Sequence, residues 1–94
     1  MKIYISGAMA SCQSTYKRKF NEMAKRINAN GDIAVNPAVL PNGLDHKKYM
    51  PICFDMIDAS DAILMLKDWT TSKGAKLEKA YAEYQGKTVL YEEK

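Results

Sequence analysis

The sequence predicts an α/β domain in which a parallel sheet of four strands, ordered 2-1-3-4, lies between layers of helix. Three observations carry this expectation. Short β-rich runs alternate with segments of helical period along the whole chain. Gly, Pro and Asn-Gly signals punctuate the junctions. The third run, Ala62-Ile63-Leu64-Met65-Leu66, is nearly all apolar, as suits a strand covered on both faces.

The elements follow in order. Lys2-Ile3-Tyr4-Ile5-Ser6 is a β-rich run halted by Gly7. Tyr16, Phe20, Met23, Ala24 and Ile27 recur at helical spacing, and Asn30-Gly31 supplies the stop. Residues 32–36 form a second strand closed by Pro37, and residues 38–44, with Pro41-Asn42-Gly43, read as a loop. Asp45 can cap a helix running to about Ala59, with apolar Tyr49, Ile52, Met56 and Ile57. Pro51 must lie in or near its first turn or else kink it. After the third strand, Ser72 opens a helix that runs to Gln85 and stops at Gly86; Lys87-Thr88-Val89-Leu90-Tyr91 is the last strand. The succession βαβαβαβ describes a flavodoxin-like (Rossmann-like) three-layer sandwich, one domain over residues 1–94.

Composition bounds the function. Of 94 residues, 47% are hydrophobic and 27% charged, which is ordinary for a globular domain. The net charge of +3 is spread as Lys17-Arg18-Lys19, Lys25-Arg26 and Lys47-Lys48, a pattern of solvated helix faces. No basic motif with interleaved aromatics supports nucleic-acid binding. Cys12 and Cys53 are far apart and the single His46 has no partner at ligand spacing, so neither a disulfide scaffold nor a metal site is expected. No apolar run reaches membrane-spanning length, and Met1-Lys2-Ile3-Tyr4-Ile5 leads into a strand instead of a signal peptide; a cytoplasmic protein is the expectation.

In such sheets a ligand lies beyond the carboxyl ends of the strands where chain order reverses, here between the first and third strands. The loops after Ile5, Asn36 and Leu66 converge there, bringing Tyr4, Ser6, Gly7, Asn36, Trp69, Ser72 and Glu78 into one list of candidates. Glu78 is the most informative of them. With about 100° of rotation per residue, Gly74, Ala75, Leu77, Ala80, Tyr81, Ala82 and Tyr84 share a broad arc opposite Lys76, Lys79 and Glu83. Glu78 falls inside that apolar arc, where a carboxylate is costly to desolvate without a partner. It is either a structural partner or placed for chemistry.

Ile3-Tyr4-Ile5-Ser6-Gly7, Ser60-Asp61-Ala62 and Ser72-Lys73-Gly74-Ala75-Lys76-Leu77-Glu78 together resemble the nucleoside 2-deoxyribosyltransferase-like superfamily. That superfamily includes the 2′-deoxynucleoside 5′-phosphate N-hydrolases, and the likeness is strongest to a small branch found in phages and bacteria. The resemblance implies that Glu78 is the nucleophile attacking the anomeric carbon of a deoxyribosyl group. It also implies that Tyr4 contributes to the site, that Ser72 is a phosphate-side contact, and that Gly7 lets backbone approach the ligand. A helix N-terminus at Ser72 suits an anion physically. These enzymes carry an assisting aspartate eight residues before the position of Asp61, and here Cys53 stands there. Asp55 could substitute only with a shifted or turned helix, since two residues are roughly 200° of rotation.

Blander roles stand beside these. Trp69 either packs on the last helix or stacks on a base; Asp61 secures the loop entering the third strand; His46 and Cys53 are structural; Met50, Met56 and Met65 fill core. The sequence therefore predicts a protein that recognises a nucleoside or nucleotide. It would be an N-glycosidase or deoxyribosyltransferase with catalytic Glu78, Tyr4 and Asp55 and ligand-binding Ser6, Gly7, Asn36, Trp69, Ser72 and Gly74. The alternative is a binding module that senses or sequesters a nucleotide. No cofactor or metal is expected, and the resemblance implies a homodimer or larger homo-oligomer.

Overall fold

The computed structural model describes residues 1–9, 15–41 and 43–93, and the backbone alone of His46. Cys12 lies outside the described residues. The elements are β1 (Lys2–Ser6), α1 (Tyr16–Ala29), β2 (Ile33–Val35), α2 (His46–Asp58), β3 (Ala62–Met65), α3 (Lys73–Tyr84) and β4 (Thr88–Tyr91). Single 3₁₀ turns occupy Pro37–Val39 and Trp69–Thr71. All strand pairs are parallel and the sheet order is β2-β1-β3-β4, as the sequence predicts. Strands β2, β3 and β4 are each shorter than expected, ending where ladder pairing ends.

Alternation along the central strands divides the core. Ile3 and Ile5 of β1 pack with Phe20, Met23 and Ile27 of α1 on one face. Tyr4, with Ile63 and Met65 of β3, packs with Cys53 and Ile57 of α2 and Ala75 and Ala82 of α3 on the other. Successive side chains of a strand point to opposite faces, so both faces of β1 and β3 are filled. This accounts for the continuous apolar run of β3.

Two helices turn differently from the sequence expectation. On α3 the buried positions are Ala75, Glu78 and Ala82, whereas Leu77 is 51% and Tyr84 88% exposed. The apolar arc read from the sequence was too wide: the face toward the sheet follows i, i+3 and i+7. On α2, Cys53 and Ile57 are fully buried and Ile52 is exposed, so the inward stripe runs Tyr49-Cys53-Ile57. Asp45 precedes α2 without capping it by its side chain. Pro51 is the sixth residue of α2, past its first turn.

Side chains tie the strand ends. Asp61 Oδ2 accepts the Lys2 backbone N–H at 2.7 Å, joining the starts of β1 and β3, and this bond holds its carboxyl below the usual range. Asp68 Oδ1 accepts the Ala8 N–H at 3.0 Å while Lys19 reaches Oδ2 at 3.1 Å. Among the described residues, no helix is long and apolar enough to cross a membrane.

Candidate functional site

Ser72 caps α3: its Oγ accepts the Ala75 N–H at 3.1 Å, and its own backbone is extended. From that start, one and a half turns bring Glu78 over the sheet with 6% of its surface exposed. Below it lie Tyr4 and Ser6, two residues apart on β1 and therefore on the same face. The Tyr4 hydroxyl donates to Glu78 Oε2 at 2.9 Å, and the Ser6 hydroxyl donates to Oε1 at 2.6 Å. Ser6 is the last residue of β1, where β1 and β3 adjoin and chain order reverses. The carboxylate thus stands at the carboxyl end of the central strand, the position at which such sheets bind ligands.

Cys53 of α2 closes the cluster from the third side. It is fully buried, and its thiol interacts by hydrogen bonding with both Glu78 and Tyr4. One turn earlier on α2, the Tyr49 hydroxyl lies 3.0 Å from the Pro37 carbonyl and 3.3 Å from Met9 Sδ. Its aromatic body thereby links the segments that follow β1 and β2. The sequence expectation for Cys53 is a structural role at the position of the assisting aspartate; the structure sets its thiol against the carboxylate, with Tyr49 on the same helix face one turn earlier.

Burial governs the electrostatics here. Desolvation raises the Glu78 carboxyl above its ordinary value, against the hydrogen bonds from Ser6, Tyr4 and Cys53 that favour its charged form. Burial, with the nearby Glu78 charge, pushes the Cys53 thiol up to about 12 and holds the Tyr4 phenol well above its usual range. The arrangement is one carboxylate among neutral donors. A carboxylate has about four acceptor sites, so such a set can orient it and leave a lone pair for another atom.

The structure joins Tyr4, Ser6 and Glu78 by direct hydrogen bonds; the other candidates have different partners. Asp55 is exposed on α2, and its charge is felt at Tyr81. The helix is not turned in the way its substitution for Cys53 would need. Asn36 caps the turn after β2, accepting the Ala38 N–H at 3.0 Å, and donates to Asn21 Oδ1 at 2.8 Å. The Trp69 ring is 6.1 Å from that of Tyr91 and has the Lys79 ammonium 5.5 Å from its centroid. Gly74, half-buried, is the second residue of α3. At Gly7 a Cβ would meet Leu66 Cδ1 at 2.8 Å and Cβ at 2.9 Å, so its missing side chain makes room for Leu66. Among the described residues no group of three His, Cys, Asp or Glu could hold a metal ion.

A family model described as a domain of unknown function, DUF4406, matches residues 1–91. No curated protein matches the sequence. Among solved structures the chain is similar to a 2-desoxiribosyltransferase from Leishmania mexicana, with a TM-score of 0.75 and 21% identity. That match covers 96% of this chain and 62% of the other, so this chain spans less than two thirds of the Leishmania protein. It is also similar to the CMP N-glycosidase BcmB of Clostridium botulinum, with a TM-score of 0.69 and 15% identity over 97% of this chain and 70% of that one. At these identities the likeness is one of fold.

Proposed function

This chain belongs to the DUF4406 family, and we propose that it binds a nucleoside or nucleotide and cleaves its N-glycosidic bond with Glu78 as the nucleophile. The observation that carries this reading is the buried Glu78 carboxylate, gripped by the Tyr4 and Ser6 hydroxyls at the end of the central strand. A carboxylate partnered by hydroxyls is oriented without being neutralised by a cation. Raised basicity also makes it a better nucleophile than an exposed one. The fold shared with a deoxyribosyltransferase and an N-glycosidase supports the same chemistry.

In this reading a Glu78 oxygen attacks the anomeric carbon and the base departs. Water or an acceptor base then releases the glycosyl group. Tyr4 and Ser6 fix the carboxylate, while Ser72 and Gly74, at the amino end of α3, stand on the side of the ligand's 5′ group. The resemblance to deoxyribosyltransferases further supports a cytoplasmic homodimer or larger assembly, in the branch found in phages and bacteria.

Incubating the purified chain with a panel of deoxynucleosides and their monophosphates tests the proposal. Base release that is lost in Glu78→Ala supports it; release unaffected by that substitution refutes it. One observation favours a second reading, a binding module without turnover. Cys53, at about 12, keeps its proton where the resembling enzymes place an assisting aspartate. Thermal stabilisation by a nucleotide with no base release would select that reading.

A further inference from the structure

The groups that face Glu78 are of one kind. From β1 they are the Tyr4 and Ser6 hydroxyls, and from α2 the Cys53 thiol. Tyr49 lies near enough to feel the charges of Cys53, Tyr16 and Glu78. All are neutral hydrogen-bond donors. The carboxylates of α2 are turned away: Asp55 is exposed, and Asp58 accepts the Tyr81 hydroxyl at 2.8 Å and the Gln85 amide at 3.1 Å. Among the described residues, the cluster therefore presents one negative charge and no second acid.

Resting on the reading of Glu78 as a nucleophile, we propose that the site selects N-glycosides whose base is positively charged while bonded to the sugar, N-alkylated purine or pyridinium nucleosides, so that the base leaves as a neutral molecule. An ordinary purine or pyrimidine must take up a proton as it leaves, and general acid catalysis of that kind is worth about 10²–10⁴-fold. Tyr4, Cys53 and Tyr49 all hold their protons too firmly to supply it at neutral pH. A cationic base has no such need. A bond forms between a Glu78 oxygen and the anomeric carbon as the carbon–nitrogen bond breaks, and its electron pair discharges the ring nitrogen. Water then bonds to the anomeric carbon, the ester electron pair returns to Glu78, and the water's proton passes to solvent. The carboxylate attracts the cation in the ground state.

Two pairs of compounds matched except for charge test this with the purified chain. They are 7-methyl-2′-deoxyguanosine against 2′-deoxyguanosine, and nicotinamide riboside against its neutral dihydro form. Base release is divided by each compound's spontaneous rate. The cationic member of at least one pair should exceed its neutral partner by about 10²-fold or more, and the pair that responds identifies purine or pyridinium as the source. For nicotinamide riboside, whose charge is independent of pH, kcat/KM should climb with pH as Glu78 ionises and then stay level, with no descending limb. Cys53→Asp should raise the rate on the neutral members selectively. Equal rates within both pairs, or a descending limb for nicotinamide riboside between about pH 6 and 9, would overturn the substrate class and leave the nucleophile in place. No Glu78-dependent release from any of the four compounds or from the deoxynucleoside panel would overturn the nucleophile as well.

Discussion

Glu78 is where opposing effects of similar size meet. Burial disfavours its charge, three donors favour it, and burial wins: the carboxyl is raised. Between the unfolded value near 4.5 and the raised folded value, the folded chain holds more protons than the unfolded one, so stability falls as pH rises through that window. Glu78→Gln should therefore raise the melting temperature at pH 7–8 and lose that advantage below about pH 4. Scanning calorimetry of both proteins across pH checks the sign. Tyr4→Phe should act the other way, costing roughly 1–3 kcal/mol at neutral pH because Oε2 loses its hydroxyl donor. Urea unfolding at pH 7 measures it.

At the scale of elements, the helices show what sequence spacing delivers and where it stops. The capped start of α3 at Ser72 was legible, because a hydroxyl followed by a helical pattern is a local signal. Its loss in Ser72→Ala should cost about 0.5–2 kcal/mol by chemical denaturation. The inward position of Glu78 was legible from rotation alone. The width of the buried face was not: whether Leu77 and Tyr84 touch the sheet depends on how far α3 is rolled against β3 and β4, which distant residues decide. Leu77→Ser and Tyr84→Ser should each change stability by less than about 0.5 kcal/mol. The roll of α2 likewise decides between neighbours: it carries Cys53, at the position the resemblance marks, beneath Glu78 and leaves Asp55 in solvent.

For the whole molecule, the parallel sheet followed from the alternation of elements, and its order β2-β1-β3-β4 is the one expected. The place of the site followed from that order. Its membership required contacts across 72 and 74 residues of chain, from Ser6 and Tyr4 to Glu78, and no local pattern encodes those partners. The resemblance named Tyr4 and Glu78, topology alone put Ser6 nearby, and packing revealed Tyr49. Gly7 shows the converse: its position at a strand end was legible, yet the occupant of the space it leaves is Leu66. Gly7→Ala should cost about 1–3 kcal/mol through overpacking, read from the urea midpoint.

The sharpest test of a carboxylate nucleophile is to look for the bond it makes. Acid-quenching the protein during turnover of a released-base substrate, then mapping its peptides by mass spectrometry, should show a glycosyl adduct on the peptide carrying Glu78 and none in Glu78→Gln. Base release with no adduct, or with the adduct on another residue, would contradict the account.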